Sequence, residues 1–87
     1  MFVICTYDVE EKRCVKVMKI LRQYLFHIQN SVFEGELTPA QLEALKHKLM
    51  AVINEKEDKI QFYFTYNNKQ VYKDYLGIIT KSENIIS

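Results

Sequence analysis

The chain has 87 residues, 48% of them apolar and 26% charged, with a formal net charge of +1. That is enough chain for one globular domain, too hydrophobic for intrinsic disorder and too short for a cleft built from several long loops. The near-neutral balance does not by itself announce a polyanion partner.

Residues 2–7, Phe-Val-Ile-Cys-Thr-Tyr, are β-branched and aromatic with no breaker, and they predict a strand that Asp8 ends. From about 11 to 25 the period becomes helical. Cys14, Val17, Met18, Leu21 and Leu25 form one apolar stripe. Lys12, Lys16 and Lys19 follow a second stripe, with Arg13 and Arg22 nearby. Glu10 and Glu11 stand where the helix dipole favours acid.

Residues 26–37 return to strand character. Asn30-Ser31 is either a break between two short strands or a kink in one, and Gly35 is a candidate bulge. Thr38-Pro39 opens a second helix, predicted over 39–53. Thr38 is its N-cap, Pro39 takes the first helical position and Gln41 can close a capping box. Leu42, Leu45, Leu49 and Val52 supply its apolar face, and Asn54 to Asp58 read as a loop. Residues 59–66 alternate, with Ile60, Phe62 and Phe64 on one side and Gln61, Tyr63 and Thr65 on the other. Asn67-Asn68 signals a turn. Val71 to Leu76 reads as a further short strand ended by Gly77.

The order is βαββαβ with an appended strand, which predicts an α+β, ferredoxin-like domain over 1–77. Two helices would then cover one face of an antiparallel sheet and leave the other bare. The tail, 78–87, carries Ile78, Ile79, Ile85 and Ile86, which is odd for a free end and predicts docking on a partner chain. A bare sheet face and an apolar tail both predict a partner, most simply a second copy.

Cys5 and Cys14 are the two cysteines. No Cys-x-x-Cys or Cys/His cluster is present, which argues against zinc. The N-terminus lacks the basic region and cleavage site of a signal peptide, and no apolar run nears the ~20 residues of a membrane span. The expectation is a soluble, cytoplasmic protein with reduced thiols.

Two features carry candidate chemistry. Between residues 12 and 33 there are five Lys or Arg and no Asp or Glu, so the +1 hides a locally basic helix. Lys12, Arg13, Lys16 and Lys19 are the candidate phosphate contacts; a solvated helix face reads the same way. Asp8 sits at a strand end just before that helix. Its Asp-x-x-Glu spacing to Glu11 fits a capping box. Alternatively it is a magnesium ligand, since that ion typically takes one or two carboxylates plus waters and substrate phosphates. His27 and His47 have no nucleophile beside them in the pattern, and no Walker loop, GxGxxG or nucleophile elbow occurs. The tyrosines at 63, 66, 72 and 75 suit an interface or base stacking.

Tyr7-Asp8-Val9 before a basic helix, then Gln29-Asn30-Ser31-Val32-Phe33-Glu34-Gly35-Glu36-Leu37-Thr38 and Gln41-Leu42, resembles the second core CRISPR-associated protein family. This family is the small ferredoxin-like partner of the CRISPR integrase. The similarity runs through Glu57-Asp58. Leu25 stands where the family often has glycine, and Gln61 where it usually has arginine. The resemblance implies a homodimer whose C-terminal strand crosses to the partner's sheet. It places the metal-binding and catalytic aspartate at Asp8, with Tyr7, Ser31 and Phe33 in support. It further implies magnesium-dependent endonuclease activity on RNA or DNA. In CRISPR adaptation (spacer acquisition) it implies a dimer that holds duplex DNA and bridges integrase dimers. The alternative is a DNA-binding adaptor with no catalysis of its own.

Overall fold

The computed structural model describes residues 1–67 and 70–78. In chain order they form β1 (Phe2–Asp8), α1 (Glu11–Arg22), β2 (Phe26–Gln29), β3 (Val32–Glu36), α2 (Pro39–Met50), β4 (Lys59–Thr65) and β5 (Tyr72–Gly77). The strands make one antiparallel sheet in the order β2-β3-β1-β4-β5. This is the expected ferredoxin-like arrangement with one added strand.

Alternation along β1 sorts its side chains cleanly. Val3 and Cys5 are fully buried, while Phe2, Ile4 and Thr6 between them are only partly covered. The register carries that division across the sheet. Cys5 lies between Phe33 and Phe62, both fully buried. The helices cover this face. Val17 and Leu21 of α1 and Leu42, Leu45 and Leu49 of α2 complete the core. Each such side chain contributes about 1.5–3 kcal/mol on burial. Burial also pushes the Cys5 thiol well above its usual range, which suits a core residue. Cys5 and Cys14 are both free thiols.

Local signals explain most element ends. Asn30 adopts a left-handed backbone (φ 38) and turns β2 into β3. Thr38 accepts from the Gln41 N–H at 3.1 Å, and the Gln41 side chain accepts from the Thr38 N–H at 2.8 Å. That is the anticipated capping box, with Pro39 in the first turn. Lys46 of α2 pairs with Asp74 of β5 and with Glu43, tying the helix to the added strand.

Several expectations need correction. The helices stop at Arg22 and Met50 rather than 25 and 53. Leu25 and Ile53 still donate N–H bonds back to Leu21 and Leu49, so each terminal apolar residue is held in a turn beyond its helix. Gly35 is not a bulge. It pairs in register with Val3, and the irregularity lies between His27 and Gln29. A Cβ at position 35 would come within 3.2 Å of Leu25, so close packing is what favours glycine there. The strand expected to cross to a partner pairs instead with β4 of its own chain, from Lys59↔Gly77 to Phe64↔Tyr72. Asn68 of the expected turn and the tail from Ile79 onward lie outside the described residues.

Candidate functional site

Asp8 ends β1 on the face opposite the helices. Alternation places it with Phe2, Ile4 and Thr6, and its register partner on β4 is Lys59. It is exposed. With Thr6, Tyr7, Lys59 and Gln61 it lines an open cavity of about 140 Å³. The capping-box reading does not hold. The N-cap of α1 is Glu10, which makes no side-chain cap bond, and the Glu10 N–H donates to Asp58 Oδ1 at 2.9 Å. Asp8 is therefore not occupied in ending the helix. Among the described residues no cluster of three or more His, Cys, Asp or Glu gathers to hold a metal. One chain thus offers one carboxylate here, which fits an ion that keeps most of its waters and takes the rest from substrate phosphate.

The neighbouring residues have distinct duties. Tyr7 points to the helix side, its hydroxyl pKa raised mainly by burial. Its N–H donates to the Ser31 carbonyl at 3.2 Å, which ties β1 to the β2–β3 turn. Phe33 is fully buried and stacks on His27 with ring centroids 4.6 Å apart. Ser31 and Phe33 thus support the strand that carries Asp8 from behind and do not line the cavity. The open face continues away from Asp8 as an apolar hollow lined by Phe2, Ile4, Tyr63 and Val71.

The basic helix divides in the same way. Lys12, Lys16 and Lys19 are exposed at helical spacing along α1. Arg13 is not available in that sense. Its guanidinium donates to Asp58 from Nε at 2.6 Å and from Nη2 at 3.0 Å, and to Glu57 from Nη2 at 2.9 Å. These bonds raise its pKa further and hold Asp58 down at about 2, against the desolvation that burial brings. Arg13 therefore braces the fold where sequence spacing grouped it with the phosphate contacts. Nothing in the sequence pattern singles out Asp58, Lys59 or Gln61 as parts of the site. Asp58 sits in a polar loop whose partner on α1 is 45 residues away, and no local spacing signals that pair.

The profile of the family described as CRISPR associated protein Cas2 matches residues 1–73. The CRISPR-associated endoribonuclease Cas2 of Thermotoga maritima is 47% identical over 78 residues, covering 90% of each chain. A solved Cas2 crystal structure superposes with a TM-score of 0.72 at 42% identity, covering 83% of both chains. That of Streptococcus pyogenes Cas2 gives 0.70 at 42% identity, covering 78% of this chain and 89% of that one.

Proposed function

The chain belongs to the CRISPR-associated Cas2 family, and from that premise we propose that it is a magnesium-dependent endonuclease of CRISPR adaptation, working as a homodimer with Asp8 as its catalytic and metal-binding residue. One observation carries this reading: Asp8 is an exposed carboxylate at a strand end, lining a cavity, with no part in capping α1. An exposed carboxylate lining a cavity is a candidate magnesium ligand, since that ion takes one or two carboxylates plus waters and substrate phosphates. Magnesium, when bound, polarises a phosphate and lowers the pKa of a coordinated water. Asp8 would hold the ion, and the β1–β4 ladder keeps Asp8 beside Lys59.

The homodimer is supported by the uncovered sheet face. Phe2, Ile4 and Tyr63 lie only half-buried there, on the same face as Asp8. A second copy placed on that face would cover them and bring a second Asp8 toward the first. A small chain with one carboxylate would then build its site across a two-fold axis.

The test is cleavage of single-stranded RNA and of duplex DNA with magnesium by purified wild type and Asp8→Asn. The reading requires cleavage that the variant loses. Equal residual cleavage by both would reject it.

A second reading rests on Lys12, Lys16 and Lys19. Three exposed lysines on one helix suit a duplex-binding adaptor that bridges integrase dimers without cutting. Replacing all three with Ala should weaken duplex binding and reduce its salt slope by about 0.9 per lost phosphate contact. An unchanged slope would remove α1 from the interface.

A further inference from the structure

Asp58 is the only fully buried charged residue among the described residues. Its carboxylate is saturated. Oδ1 accepts the Glu10 N–H at 2.9 Å and Arg13 Nη2 at 3.0 Å; Oδ2 accepts Arg13 Nε at 2.6 Å and the Asn54 N–H at 2.9 Å. Four bonds fill the lone-pair sites a carboxylate has. The donors come from the β1–α1 turn, from α1 and from the α2–β4 loop. Its backbone carbonyl takes a fourth segment, accepting the Ile78 N–H beyond β5 at 2.9 Å.

The placement matters for Asp8. Asp58 immediately precedes Lys59, the register partner of Asp8 on β4. Glu10, whose N–H Asp58 holds, lies two residues after Asp8. Asp8 is thus gripped on both sides by one residue, through the ladder at Lys59 and through the turn at Glu10. Beyond β1 the turn's other anchors are Val9, which packs part-buried against the core, the Val9 carbonyl, which accepts from the Cys14 thiol at 3.4 Å, and the Arg13 N–H, which returns to the Glu10 carbonyl at 2.9 Å.

We propose that Asp58, clasped by Arg13, is the positioning residue for Asp8: it fixes the turn that follows β1 and so aims the Asp8 carboxylate over the cavity. This rests on the reading of Asp8 as the metal-bearing residue. Asp58 itself faces the helix side and touches no substrate. Its part is to keep the exposed carboxylate from drifting with a loose turn, in the way outer-shell groups orient metal ligands. Arg13 acts one step further back, by neutralising Asp58 and orienting it.

The test compares full-length wild type, Asp58→Asn, Arg13→Lys and Asp8→Asn under conditions where each is folded. Arg13→Lys keeps the charge and loses the two-pronged fork, so it carries the test if Asp58→Asn does not fold. The Glu10 amide should exchange hydrogen at least about tenfold faster in the clasp variants, after correction for global stability read at the Cys5 amide. Manganese affinity, followed by paramagnetic broadening at the Thr6 and Asp8 amides, should weaken about tenfold or more. Turnover on single-stranded RNA should fall with KM unchanged. Glu10 exchange that moves only in step with Cys5 would overturn the proposal. So would unchanged manganese affinity with a loosened Glu10. Equal manganese binding by wild type and Asp8→Asn overturns it by a separate route, because that result rejects Asp8 as the metal residue and is read from Asp8→Asn alone.

Discussion

Asp8 and Asp58 stand at the same end of two neighbouring strands, Asp8 closing β1 and Asp58 leading into β4. One is exposed and lines an open cavity; the other is fully buried and accepts four hydrogen bonds. The contrast sets a carboxylate bound into the fold beside one that the fold leaves at the surface. A buried carboxylate must be paired and saturated or it is costly. Asp58 takes the Glu10 N–H and the Arg13 fork, whereas Asp8 has no part in capping α1 and keeps its carboxylate exposed.

The largest effect should come from breaking the buried member. Asp58→Ala leaves the Arg13 charge and the Glu10 N–H without their partner, and it should cost about 3–5 kcal/mol in urea denaturation. Asp8→Asn should change stability by no more than about 0.5 kcal/mol. Similar losses at both positions would erase the distinction.

Acid titration isolates the buried member next. The Asp58 carboxyl is depressed in the folded chain from 3.8 to about 2. A depressed carboxylate contributes stability that is present above its unfolded pKa and lost as pH falls through the folded one. Stability tied to Asp58 should therefore hold at pH 5 and decline between about pH 4 and pH 2, by about 2 kcal/mol in all. Urea midpoints at pH 5 and pH 2 measure it, and the difference between wild type and Asp58→Asn isolates it.

A smaller effect sharpens how far the Asp58 junction extends. Gly77 has φ 87, and a Cβ there would lie 2.0 Å from the Asp58 carbonyl oxygen. Gly77→Ala should destabilise by about 1 kcal/mol or more, through both the left-handed backbone and the clash. A neutral result in a thermal melt would mean that β5 moves away from Asp58 at no cost.

The two aspartates also mark what could be read from sequence. Locally encoded features were legible. Thr38, Pro39 and Gln41 define a helix start within four residues, and alternation in 59–66 fixes the buried face of β4, whereas Asn30-Ser31 reads equally as a break or a kink until the left-handed Asn30 is seen. Asp8 was legible as a candidate because it ends a strand before a basic helix. The capping-box alternative for Asp8 fails because the Asp-x-x-Glu spacing is local, whereas the group that takes the Glu10 N–H comes from 48 residues away. Arg13 groups with Lys12 and Lys16 along the sequence for the same reason. Charge and spacing are visible along the chain, but the Asp58 carboxylate that removes Arg13 from the surface arrives only with the tertiary fold. Glycine commonly marks a bulge, yet Gly35 packs closely against Leu25 and the irregularity lies between His27 and Gln29.

The claim that the exposed aspartate serves a cation while the buried one serves the fold is tested most directly by counting bound manganese. Electron paramagnetic resonance titration of wild type should give one tightly held ion per two chains, consistent with Asp8 acting from both copies. Asp8→Asn should lose that ion at unchanged urea midpoint. Manganese bound equally by wild type and Asp8→Asn would contradict the account.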